Sequence, residues 1–93
     1  MDNLSKAAEI DFIKTEIEKQ TTSYSQQMEL LSKKLKIAKR EIKNTESEYY
    51  SYLNLVLIPQ IEKELDELNN KVRSLAYEYI VFDYIRKKLG DQK

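Results

Sequence analysis

The chain has 93 residues, with one Gly, one Pro, no Cys, His or Trp, and 34% charged residues. Sixteen basic residues balance sixteen acidic ones, which argues against a nucleic-acid binder, whose basic excess neutralises phosphates. The missing cysteines exclude a disulfide framework, a thiolate nucleophile and a Cys-type metal site. Two breakers are too few for a β-rich domain, which needs a turn every ~8–12 residues.

What remains is an all-α chain, one small helical domain over residues 1–93 with a modest core. Met1-Asp2-Asn3-Leu4-Ser5-Lys6 lacks the apolar stretch of a secretory signal. The longest apolar run, Leu55-Val56-Leu57-Ile58, is far below the ~20 residues of a bilayer span. A soluble product without membrane insertion is expected, cytoplasmic as made; export would proceed without a cleaved signal.

In chain order, the spacing predicts a first helix over about 4–57. Ile10, Ile13 and Ile17 open an apolar stripe, and Thr21-Thr22-Ser23, low in helix propensity, predict a bend or frayed turn. From Tyr24 the stripe continues in another phase through Met28, Leu31, Leu35, Ala38, Ile42, Thr45, Tyr49, Tyr52 and Val56, in alternating steps of four and three. That rhythm is a heptad seam.

Pro59 removes a backbone donor and disfavours helical dihedrals at Ile58, so the chain is expected to break near 57–59. Thr45-Glu46-Ser47-Glu48 has the capping-box pattern and is the competing division, ranked second because the seam runs through it. A second helix follows over about 60–89, with the seam Ile61, Leu65, Leu68, Val72, Leu75, Tyr79, Phe82. Arg86, Lys87 and Lys88 suit a helix C-terminus, and Gly90 stands where a left-handed cap is expected. The architecture expected is a long helical hairpin with coiled-coil-like heptad packing, dimerising into a helical bundle.

Catalytic chemistry has little to work with. The commonest general base is missing, and so is the thiolate. Carboxylates such as Glu62 and Asp66 are ordinary on so charged a helix. A four-helix di-metal site would need Glu-x-x-His, and one Gly rules out a glycine-rich phosphate loop. The reading is a non-enzyme with no cofactor and no metal.

Two stretches are more apolar than a narrow seam requires, 49–58 and 75–85, and they hold six of the seven tyrosines. A two-helix hairpin buries one face per helix, so the opposite face needs a second copy, another helical protein or a fold-back of residues 4–20. The partner-binding candidates are Tyr49, Tyr52, Val56, Leu75, Tyr79, Phe82 and Asp83. Lys33–Lys43, with six basic residues against Glu41, reads as a solvated flank, or as a patch for an anionic surface.

Tyr79-Ile80-Val81-Phe82-Asp83 places a Tyr-x-x-x-Asp spacing near the C-terminus. With that spacing, its size and its helical character, the chain resembles the small helical-hairpin proteins of type VII secretion, which include Trp-X-Gly substrates and partners of LXG toxins. The resemblance implies two long antiparallel helices paired with themselves or a partner, with Tyr79 and Asp83 read together as a targeting signature. No Trp-X-Gly turn is present, so it points to a divergent partner or adaptor. The function expected is a targeting or chaperone-like helical partner of a larger exported protein. A structural or regulatory homo-oligomeric coiled coil from a phage, mobile element or cytoskeletal assembly is the alternative.

Overall fold

A computed structural model describes the backbone of residues 3–44 and 46–91. Helix α1 spans Asn3–Glu41. The return arm is one continuous helical path: a short α2, Tyr50–Tyr52, a π-helical segment, Leu53–Leu57, and α3, Ile58–Asp91. The arms lie side by side as an extended hairpin 70 Å long and only 16 × 14 Å across. No strand occurs among the described residues.

The burial pattern shows why the arms pair. On α1, Ala7, Ile10, Ile17 and Ala38 are buried, and Lys14, Thr21, Tyr24, Met28, Leu31 and Leu35 are half-buried. Together they recur at alternating steps of three and four, which keeps one face turned to the other arm. The stripe does not change phase: Lys14 and Thr21 occupy positions within it, and Ile13 flanks it. The predicted bend is absent, since α1 runs unbroken through Thr21-Thr22-Ser23. On α3, Ile58, Ile61, Leu68 and Leu75 are buried, and Leu65, Val72, Tyr79 and Phe82 half-buried. The seam read after Pro59 is therefore the inner face of α3.

The chain reverses at 42–49, not at 57–59. Helix α1 unwinds through three-residue turns, with Lys43 N–H donating to Arg40 O (3.3 Å) and Asn44 N–H to Glu41 O (3.0 Å). Asn44 Oδ1 then accepts from Glu46 N–H (3.2 Å) and Ser47 Oγ from Tyr49 N–H (3.3 Å). Both are side-chain turns that compete with helix locally. Thr45, which opens the capping-box pattern and belongs to the first seam, lies outside the described residues.

Pro59 sits inside the helical arm. Its ring crowds the carbonyl four residues earlier, and it brings no N–H of its own. The preceding backbone answers by widening: Ile58 N–H bonds to Leu53 O, a five-residue step. The expected break is thus replaced by a π turn that lets the helix pass. Gly90 is no left-handed cap either, because α3 runs through it to Asp91 and no described glycine has positive φ.

The core is one seam thick. No side chain among the described residues is fully buried, and the tightest, Ala38 and Ile61, are 3% exposed. Among the described residues, twelve large apolar ones are exposed against eight buried hydrophobic ones, so much apolar surface is left over once the hairpin has formed.

Candidate partner-binding surface

At the open end of the hairpin, α1 and α3 are joined by polar groups set into the seam. Lys14 Nζ donates to Asp83 Oδ1 at 2.8 Å and lies 5.1 Å from the Tyr79 ring centroid. Lys87 Nζ reaches the other oxygen of Asp83 at 3.0 Å, and Arg86 Nε bonds Asp11 Oδ1 at 3.0 Å. The side chain of Lys14 is only 18% exposed, because its stem lies along the seam and its ammonium emerges at Asp83. The two residues of the Tyr-x-x-x-Asp spacing thus share one cation from the opposite arm.

This pairing moves both protonation equilibria. The hydrogen bond from Lys14, then that from Lys87, holds the Asp83 carboxyl below the usual carboxylate range. The bond to Asp83 keeps Lys14 protonated beyond the usual lysine range. A depressed aspartate stabilises the fold above its unfolded value of ~3.9 and loses that contribution as pH falls through the folded value. The lysine contribution is complete below ~10.4 and is lost as pH rises through its higher folded value. Asp83→Asn is accordingly expected to lower the melting temperature by a few degrees at pH 7. That gap should narrow in thermal melts as pH is lowered from 7 toward 2, because protonating the wild-type carboxyl removes the charge that Asn lacks. A gap unchanged between pH 7 and pH 2 would remove the ion pair as its cause.

The seven candidate residues fall into two groups. Tyr49, Tyr52 and Val56 are exposed, although they were read as the continuation of a seam. Leu75 is buried, and Tyr79, Phe82 and Asp83 are half-buried, on the seam face that packs on α1. Those four hold the hairpin together, so they are not the accessible surface of segment 75–85.

The accessible surface is the other side of the same helix. Tyr77, Ile80, Val81, Tyr84 and Ile85 are exposed, Tyr77 to 67% and Ile80 to 63%. Their spacing of i, i+3, i+4, i+7 and i+8 makes one continuous stripe, opposite the seam of Leu75, Tyr79 and Phe82. The end of α3 is apolar on both sides, a pattern that belongs to a helix covered on both. The spacing was visible in the sequence, but only knowing which face meets α1 separates the stripe from the seam. Residues 5–20 do not cover it; they continue α1 and pack on the inner face. On α1 the exposed apolar residues Phe12, Leu30 and Ile37 are scattered, which is ordinary for a surface.

Near the turn, an open groove of about 490 Å³ is bounded by Ile37 and Ala38 on α1 and by Tyr49, Tyr52, Leu53 and Leu57 on the return arm. Lys34 and Glu41 stand at its rim. The basic block of α1 is partly paired within the chain: Lys33 lies 3.4 Å from Glu29 and Lys39 lies 3.6 Å from Glu62. No helix among the described residues is long and apolar enough to cross a membrane. No family model, curated protein or solved structure matches the chain, so its role is read from these surfaces.

Proposed function

We propose that the protein is a non-catalytic interaction module whose exposed apolar surfaces pack against another helical surface. The observation that carries this is the stripe Tyr77, Ile80, Val81, Tyr84 and Ile85, left open on the face opposite the seam. Tyrosine suits such a place because its ring buries area while its hydroxyl tolerates a wet edge. Seam residues on both arms fit coiled-coil-like packing, and a further helical layer makes the hairpin into a bundle.

Within this class, the specific reading is a targeting or chaperone-like partner of a larger exported protein. It rests on the hairpin shape and on the Tyr79–Asp83 spacing. Because both residues also engage Lys14, alanine substitutions would confuse targeting with folding. Tyr79→Phe combined with Asp83→Asn keeps side-chain size while removing the hydroxyl and the charge, at the few degrees of melting temperature expected for Asp83→Asn. For the targeting reading to stand, this variant, checked for helicity, must lose export or partner loading in the native host. Normal export by a folded variant would end that reading and leave the interaction module.

A further inference from the structure

The exposed face of the return arm, from the π-helical segment through α3, has a polar middle between two apolar ends. Leu55 and Val56 stand at one end and the stripe from Tyr77 to Ile85 at the other; Leu55 is 71% exposed. Between them the same face presents Lys63, Asp66, Asn70 and Arg73, all exposed. None of Lys63, Asp66 or Arg73 is in an ion pair among the described residues. Read from either end, this face complements its own reverse.

From this we infer that a second copy of the chain docks antiparallel along the exposed face of α3, with the two-fold axis at Asn70. At 1.5 Å per residue, Asp66 lies about 6 Å from Asn70 on one side and Arg73 about 4.5 Å on the other. An antiparallel two-fold brings each edge of the face to the same edge of its copy. Asp66 and Arg73 are two turns apart on one edge, so Asp66 meets Arg73 of the second copy within about 1.5 Å of the same height, and the pair occurs twice. Lys63 and Tyr77 are each seven residues from Asn70, which sets each ammonium over the ring of the other copy. Leu55 and Val56 arrive at Tyr84 and Ile85, so the apolar ends close on each other.

Charge selects this register over its neighbour. A two-fold at Asp66 would set that carboxylate against its own copy, whereas the axis at Asn70 turns it toward Arg73. An Asn at the axis can pair with itself, and one polar residue in an apolar interface commonly fixes register at some cost in stability. The area is sufficient: the exposed apolar residues of this face offer on the order of 700 Å² per copy, near the ~800 Å² per partner of a standard interface.

This inference rests on the interaction-module reading, names the partner as the chain itself, and can fail separately. The test is sedimentation equilibrium of the full chain at roughly 10–100 μM with charge-swapped variants. Asp66→Arg and Arg73→Asp are each expected to weaken the dimer at least ~10-fold, and the double swap to restore it to within ~3-fold. Because the chain has no cysteine, Asn70→Cys supplies a single probe, expected to form a covalent dimer on mild oxidation. Ser32→Cys, on α1, is expected to stay unlinked under the same conditions. A monomeric wild type, an unrescued double swap, or no linkage through Asn70→Cys would each overturn the inference. The broader reading falls only if, in addition, substitutions in the stripe change no association with any other chain.

Discussion

Ile61→Asp is expected to abolish the cooperative unfolding transition of the hairpin. Ile61 is 3% exposed and stands on the inner face of α3 near the turn, where a carboxylate would be taken out of water. Truncating such a residue to Ala typically costs ~2–5 kcal/mol, and an unpaired buried charge costs more. A chain of this size carries roughly 5–14 kcal/mol in total, and one without a fully buried side chain among the described residues belongs at the low end. One substitution then consumes most of the margin. Circular dichroism melts followed at 222 nm would show a sloping, non-cooperative loss of helix. Ile37→Asp is the matched control: Ile37 is 63% exposed, and its substitution is expected to change stability by under ~0.5 kcal/mol. Equal melting temperatures for Ile61→Asp and wild type would mean that this face of α3 is not the core.

The second large effect is on association. Tyr77→Gln, Ile80→Gln and Tyr84→Gln together are expected to weaken binding by at least ~100-fold while leaving the hairpin folded. Each side chain removes on the order of 100 Å² of surface from water on docking, worth ~2.5 kcal/mol before ordering costs. Even half of the total exceeds the ~2.7 kcal/mol that corresponds to 100-fold. Glutamine is a good helix former, and these positions face away from α1, so helicity and the monomer's melting temperature should hold. Substituting Leu75 or Phe82 would instead lower stability and association together, because they face the seam. Sedimentation equilibrium paired with circular dichroism separates the two patterns. Unchanged association in the triple variant would remove the stripe as the binding surface.

Helical content and the inner face of α3 were legible in the sequence, since every member of the seam Ile61 to Phe82 lies buried or half-buried. The turn was not, because two signals pointed the wrong way. Ile42, Thr45, Tyr49, Tyr52 and Val56 continue the three-and-four rhythm, yet Tyr49, Tyr52 and Val56 are exposed. The bonds to Asn44 and Ser47 that reverse the chain are local and leave no mark on periodicity. Proline looked like a break, but a π turn absorbs it. The stripe of α1 was misread near its start because Lys14 is a core-facing cation, and only the opposite arm supplies the aspartate and the ring that make it acceptable there. The surplus of apolar surface was visible in composition. Which half of segment 75–85 is free depended on knowing the pairing of the arms.

That cation also limits how the arms can slide. A seam of repeating Leu, Ile and Val tolerates slippage by seven residues, about 10 Å along the axis, because each knob finds another hole of similar shape. Slipping α3 by that amount in either direction would exchange Asp83 for Ala76 or Gly90 and leave Lys14 half-buried with no carboxylate opposite it. An uncompensated cation costs more than a misplaced methyl group. Lys14, with the Arg86–Asp11 pair beside it, thus gives an otherwise periodic rail a stop.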